Sequence, residues 1–241
     1  MLSKYSGNGD MEKQPEVTVI VPALNEVDTI REVVERVLNI PLRVQLIVVN
    51  DGSTDGTGEI LREYGDRIIA IHRERPGGKG NAIREALPHA TGQSVIVQDA
   101  DLEYFPEEIP TVVGPILSGQ AKAVYGTRFH SGLPRDMALP NKVVNVLLAL
   151  AVRVLYGYRL TDEATCYKAF STPLIQGFGL ECQRFEFCPE VTAKSLRSNI
   201  RIQEVPIRYV PRTKDAGKKI RWTDAPEAFW TLLKYRFWKP Q

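Results

Sequence analysis

The hydrophobic pattern of this chain switches repeatedly between two periods. Short runs rich in β-branched residues, at positions 17–21, 44–49, 68–71, 95–97 and 121–125, read as strands, because such side chains pack well on a pleated, half-hidden surface. Between them the apolar spacing lengthens to that of helices. One helix is predicted from Asp28 as N-cap, with Val33, Val34, Val37 and Leu38 on one face. Others follow the loop 50–55, where Thr54 or Asp55 serves as cap, and occupy 81–87 and 106–117. Pro22 is expected to end the first strand. Strands alternating with helices predict an α/β fold built on a doubly wound, mostly parallel sheet.

From about residue 129 the alternation is less regular. A long apolar helix is predicted over 142–156, a second over 186–197, and a strand over 202–210 interrupted by Pro206. The long helix is expected to lie in the core, because Asn145 and Arg153 interrupt it and it falls short of the eighteen or so apolar residues of a membrane span. The predicted organisation is a tail over 1–15, one domain over 16–222 with halves 16–128 and 129–222, and an amphipathic helix over 223–241.

Three successive strands end in polar loops: Pro22-Ala23-Leu24-Asn25-Glu26, Asn50-Asp51-Gly52-Ser53 and Asp99-Ala100-Asp101. Right-handed crossovers bring those ends to one sheet edge, so Glu26, Asp51 and Asp99 should share a crevice, where open α/β sheets bind ligands. Asp99 and Asp101 can share a hard cation such as Mg²⁺ or Mn²⁺, with Glu103 as a third oxygen donor. An acidic solvated turn is the competing reading. Glu26 and Asp51 are equally fit to cap turns or to accept hydrogen bonds from a base or ribose. Gly78-Lys79-Gly80 at a helix start offers N–H groups and a cation to a phosphate, but has neither the Walker A nor the dinucleotide spacing. Arg128 follows a strand at the same edge, and Arg212, Lys218 and Lys219 form a basic loop suited to a diphosphate leaving group. Asp162 and Glu163 offer a general base or a helix cap.

Composition narrows the classes. The 241 residues are 43% hydrophobic and 25% charged, as in folded globular chains, and the net charge of +2 gives no reason to expect nucleic-acid binding. Cys166, Cys182 and Cys188 fit no disulfide framework, so a reducing, cytoplasmic setting with inert thiols is expected. Residues 1–14 lack an apolar leader core. His72, His89 and His130 have no metal-ligand spacing.

Taken in order, the stretches 19–26, 48–55, 77–82, 98–103, 124–128, 161–168 and 204–207, with Arg212 and Gly217-Lys218, resemble glycosyltransferase family 2 across residues 16–222. The similarity is greatest to its dolichyl-phosphate mannosyltransferase and undecaprenyl-phosphate sugar transferase branch. The resemblance implies the A-type nucleotide-sugar fold and inverting, metal-dependent transfer from a nucleotide diphosphate sugar, UDP- or GDP-linked. It implies that Pro22, Ala23, Glu26, Asp51 and Ser53 hold the nucleoside, and that Asp99 and Ala100 meet the sugar nucleotide. Asp101 would be the direct metal ligand with Glu103 beside it, and Lys79, Arg128, Arg212 and Lys218 would lie near the phosphates. Several relatives read Ser-Gly-Phe-Arg where this chain reads Thr165-Cys166-Tyr167-Lys168. The implied acceptor is a polyprenyl phosphate; a hydroxyl acceptor, which would need Asp162 as base, is the alternative. A non-catalytic nucleotide-sugar-binding module and a nucleotidyltransferase are the rivals from other classes. Phe229, Leu232, Leu233, Arg236 and Phe237 share a face of the terminal helix, which reads either as a peripheral membrane anchor on the cytoplasmic face or as a packing element.

Overall fold

Seven strands build one sheet: β1 (Val17–Ala23), β2 (Val44–Asn50), β3 (Ile69–His72), β4 (Ser94–Val97), β5 (Ala123–Thr127), β6 (Lys168–Ser171) and β7 (Ile202–Pro206). In this computed structural model, which describes residues 14–130, 132–133, 137–210 and 225–240, they lie in the order β3-β2-β1-β4-β6-β5-β7. β6 runs antiparallel to both its neighbours, β4 and β5, and the other pairings are parallel. The helices are α1 (Ile30–Leu38), α2 (Thr57–Arg62), α3 (Lys79–Ala86), α4 (Ile109–Leu117), α5 (Leu139–Tyr156), α6 (Thr172–Gln176), α7 (Phe187–Arg197) and α8 (Ala225–Tyr235).

The central strands are apolar on both faces because helices cover both. Ile20, Ile47, Val48, Val95, Ile96 and Val97 are wholly buried, as are Ile30, Val33, Val34 and Val37 of α1. Each such side chain contributes about 1.5–3 kcal/mol by leaving water.

Several boundaries differ from expectation. Pro22 does not end β1; it pairs in register with Val49 of β2. Past Ile20 the strand has no ladder to β4, so a missing N–H on that side costs nothing. α1 begins after Thr29 rather than Asp28, because residues 26–29 close a turn in which Thr29 N donates to Glu26 O at 3.1 Å. Strand β6 was not anticipated. Its four residues are held by non-local pairing with Val95 and Val124 neighbours, which no local period announces. The strand predicted over 202–210 stops at Pro206, and Tyr209 returns only as a bridge to Tyr104.

The largest correction concerns α5. It has 18 residues, is long and apolar enough by length and composition to cross a membrane, and only 11% of it is buried. Leu148 and Val152 reach the core, whereas Leu139, Val143, Val146, Leu147, Leu150 and Val154 are exposed. It is not the core helix expected from sequence. α8 packs by Thr231, Leu232 and Tyr235, so the predicted face divides: Leu232 is buried, while Leu233 and the following Phe237 are exposed.

Candidate functional site

β2, β1 and β4 are adjacent and parallel, so their carboxyl ends reach one edge of the sheet. The three acidic loops predicted to converge do so, and hydrogen bonds lock them together. Asp51 N donates to Ala23 O at 2.8 Å. The Thr29 hydroxyl donates to Ala100 O at 2.6 Å and lies 3.2 Å from Glu26 Oε2, tying the first loop to the third. Asn25 and Leu102 adopt left-handed φ of 52° and 59° in those loops, a conformation that non-glycine residues hold at some cost when the surroundings demand it.

Asp51 is buried, and its carboxylate accepts Gly77 N at 2.9 Å and Gly78 N at 2.7 Å, with Arg73 Nη1 at 3.3 Å. A carboxylate has about four acceptor sites, so roughly one remains for a ligand. Gly78 is required here: its φ is +94°, and a Cβ would lie 2.5 Å from Gln183 O. Pro22 and Ala23 line the end of β1, half-buried and buried respectively, and Glu26 is 8% exposed. Ser53, implied to hold nucleoside, accepts Asn25 N at 2.9 Å through its hydroxyl, which keeps its O–H donor. Asp55 accepts Thr57 N at 3.0 Å, but the N-cap of α2 is Gly56 rather than Thr54 or Asp55.

The Lys79 ammonium ion-pairs with Asp99 and lies 3.1 Å from Cys166 Sγ. Burial alone would lower the Lys79 pKa; Asp99 outweighs it and holds the ammonium well above its ordinary value of 10.5. Sequence offered Asp99 to a shared cation and Lys79 to a phosphate; in the structure the two side chains pair with each other. Burial pushes the Cys166 thiol well up, consistent with an inert, packed group. Asp101 Oδ1 accepts Glu103 N at 3.2 Å, and Glu103 Oε2 accepts the Tyr209 hydroxyl at 2.7 Å.

Among the described residues no three His, Cys, Asp or Glu side chains converge into a metal cage. The donor set still fits Mg²⁺ or Mn²⁺ shared with a substrate. Such ions take oxygen ligands, and Mg²⁺ is commonly held by one or two carboxylates with water and phosphate oxygens completing the shell. Asp101 and Glu103, half-buried on one bend, are carboxylates of that kind.

Arg128 sits beside this loop in a clamp. Its Nε and Nη2 both donate to Asp162 at 2.7 Å, its backbone N donates at 3.0 Å, and Nη2 reaches Asn145 Oδ1 of α5 at 3.3 Å. The guanidinium lies 5.0 Å from the ring centres of Phe129 and Tyr209. Burial would lower its pKa, but Asp162 holds it well above the ordinary value, so it is a permanent cation. Asp162 is 1% exposed and wholly engaged with Arg128, which corrects its reading as a general base. Glu204 of β7 fixes the turn beneath, accepting Thr161 N at 2.9 Å and Asp162 N at 3.1 Å.

Glu163 and Lys168 lie in the core. Lys168 is 0% exposed, donates to Glu163 O at 2.6 Å and stands 3.7 Å from the centre of the Tyr125 ring. Burial raises the Glu163 carboxyl, with Lys168 opposing. Neither faces an acceptor. Arg212, Lys218 and Lys219 lie outside the described residues. Sequence reading missed Thr29, Asn145 and Tyr209, whose roles come from contacts across 71, 17 and 106 positions.

The sequence profile described as "Glycosyl transferase family 2" matches residues 18–173. A UDP-N-acetylglucosamine–dolichyl-phosphate N-acetylglucosaminyltransferase of Methanococcus voltae is 30% identical over 215 residues, covering 80% of this chain and 85% of that protein. An undecaprenyl-phosphate 4-deoxy-4-formamido-L-arabinose transferase of Edwardsiella ictaluri is 29% identical over 211 residues, 84% of this chain but only 62% of that longer protein. Glucosyl-3-phosphoglycerate synthase from Mycobacterium tuberculosis, solved with Mn²⁺, uridine-diphosphate and phosphoglyceric acid, superposes with a TM-score of 0.71 at 24% identity, over 96% of this chain and 82% of that one.

Proposed function

The chain belongs to glycosyltransferase family 2 and has its A-type fold, and from that premise we propose that it moves a hexose from a nucleoside diphosphate sugar to a polyprenyl phosphate, with a divalent metal. Asp101 and Glu103 would hold the metal, which when bound would offset charge building on the departing diphosphate, a Lewis-acid role. Glu26 and the remaining acceptor site of Asp51 face the nucleoside. Arg128, immobilised before substrate arrives, offers a cation to phosphate oxygens without reorganising.

The observation that carries the acceptor class is the Arg128–Asp162 clamp. A hydroxyl acceptor must surrender a proton, and the carboxylate best placed by sequence to take it is buried under three donors from Arg128. A phosphate monoester arrives already ionised, its second pKa being about 6, and needs positioning alone. Two named relatives, from Methanococcus voltae and Edwardsiella ictaluri, use polyprenyl phosphates, which supports the same reading. The reaction is inverting: the acceptor oxygen attacks the anomeric carbon as the bond to the diphosphate breaks on the opposite face.

The test has two parts. A thermal-shift screen of UDP-, GDP- and dTDP-sugars with Mn²⁺ identifies the donor, since a tight ligand raises stability by mass action. Transfer is then assayed with a short-chain prenyl phosphate and with phosphoglyceric acid. Release of nucleoside diphosphate coupled to a glycosylated prenyl phosphate is expected. Turnover with phosphoglyceric acid alone would overturn the lipid assignment, and pyrophosphate as product would overturn the transferase reading.

A further inference from the structure

Past the end of β7 the chain returns to the acidic loop. Tyr209 and Tyr104 form an antiparallel bridge, and Val210 N donates to Glu103 O at 3.0 Å. Glu103 N donates to Asp101 Oδ1 at 3.2 Å, so the backbone of Glu103 is tied on both sides. Its side chain is tied as well, because the Tyr209 hydroxyl donates to Glu103 Oε2 at 2.7 Å. A phenol donates and an ionised carboxylate only accepts, so the direction of this bond is fixed, and bonds of this kind are short and strong.

The tyrosine is itself rooted. Its ring packs on Tyr104 with centroids 5.1 Å apart, and Tyr104 packs on Tyr167 at 4.8 Å. Tyr104 is buried and its hydroxyl accepts Cys166 N at 3.0 Å. Tyr167 is buried too, and its hydroxyl donates to Phe105 O at 2.8 Å. The Arg128 guanidinium stands 5.0 Å from the centre of the Tyr209 ring. Tyr209 therefore touches both a carboxylate assigned to the metal and the arginine assigned to phosphate oxygens.

This matters because of what a loose glutamate does to a metal site. The terminal torsion of Glu is broad, without sharp staggered wells. A ligating carboxylate that samples many orientations has to be frozen as the cation arrives, and an outer hydrogen bond does that beforehand. Glu103 is half-buried on a bend, so burial alone does not freeze it. A carboxylate has about four acceptor sites, so accepting one hydroxyl fixes its plane without exhausting it.

We infer that Tyr209 is a positioning residue for the divalent cation, its hydroxyl fixing the Glu103 carboxylate and its ring backing Arg128, so that metal and phosphate contacts are set from one side chain. The inference rests on the metal assignment proposed above and adds a residue to it. The two contacts are separable: Tyr209→Phe keeps the ring on Tyr104 and Arg128 and removes only the bond to Glu103.

The test is titration of Mn²⁺, read as loss of the free-ion electron paramagnetic resonance signal, into the full chain with UDP, or with GDP where the donor screen selects it. Tyr209→Phe should raise the Mn²⁺ Kd by about ten-fold, the lower end of what outer partners of metal ligands contribute. Glu103→Ala should weaken binding at least as much. Adding Tyr209→Phe to Glu103→Ala should then change Kd by less than about two-fold, because the hydroxyl has no carboxylate left to hold. In transfer assays Tyr209→Phe should be slow at limiting Mn²⁺, and saturating Mn²⁺ should return kcat to the wild-type value. Equal Mn²⁺ affinity of wild type and Tyr209→Phe overturns the inference and leaves the metal assignment standing. A loss that persists undiminished in the Glu103→Ala background, or a kcat deficit that saturating Mn²⁺ does not repair, overturns it in the same way and makes Tyr209 a structural support alone. A wild type that takes up no Mn²⁺ beyond what the nucleotide binds by itself overturns the metal assignment, and this inference with it.

Discussion

The two halves of the sheet hold their charged groups by different means. On the β2-β1-β4 side, Asp51 is fixed by backbone N–H groups of Gly77 and Gly78, and Glu26 by its own turn and Thr29. On the β6-β5-β7 side, Arg128 is fixed by a buried carboxylate, which a third group, Glu204, holds in turn. Backbone donors are supplied by loop geometry and survive most side-chain changes. A buried ion pair depends on each partner, because removing one leaves the other charged and desolvated. In the proposed reading the first half receives the nucleotide, and the second, where Arg128 and Asp162 can change only together, receives the acceptor phosphate.

The largest effect should come from the loop joining the halves. Asp101→Ala is expected to lower turnover by about 10³-fold, because Lewis-acid stabilisation is worth several kcal/mol; a chelator should do the same to the wild type. Wild-type rates for the variant in metal-free buffer would refute the assignment. Asp162→Ala should then destabilise the fold by about 3–5 kcal/mol in urea titration, by stranding the Arg128 cation. Asp162→Asn, which keeps the shape, should reduce transfer without changing its pH profile. Rescue at high pH would return Asp162 to the role of base. Gly78→Ala sharpens the contrast from the backbone side: a strained φ and a 2.5 Å approach to Gln183 O should cost about 1–3 kcal/mol and weaken donor binding as the Asp51 contacts loosen.

The smallest expected effect is a null one. The Lys79 pKa is raised in the folded state, so its pairing contributes fully below the ordinary value of 10.5 and is lost only as pH rises through the still higher folded value. Stability attributable to Lys79–Asp99 should thus be flat between about pH 6 and 9, and the wild-type minus Lys79→Met difference in urea midpoint should not vary across that window. A difference that shrinks there would mean the ammonium titrates near neutrality.

Much of the donor half could be read from the chain. Val95, Ile96 and Val97 followed by Asp99 and Asp101 announce a buried strand ending in a ligand loop, and parallel topology carries Glu26 and Asp51 to the same edge. The partners of those residues were less legible. Lys79 looked like a phosphate-binding residue because it opens a helix beside glycines, yet Asp99, 20 positions away, takes its ammonium. Asp162 looked like a base because it and Glu163 are adjacent carboxylates in a loop; the cation that takes it, Arg128, is 34 positions distant.

By itself the sequence determined the periods, the turns and the order of acidic loops, since these depend on residues within a few positions of one another. Tertiary structure alone decided which face of α5 stays open, that Lys168 is core while Arg128 is poised, and that a four-residue antiparallel strand, β6, separates β4 from β5. The physical reason is common to all three. Burial and charge pairing are properties of the space between elements, and a helix as apolar as α5 carries no local mark of which side its neighbours will cover.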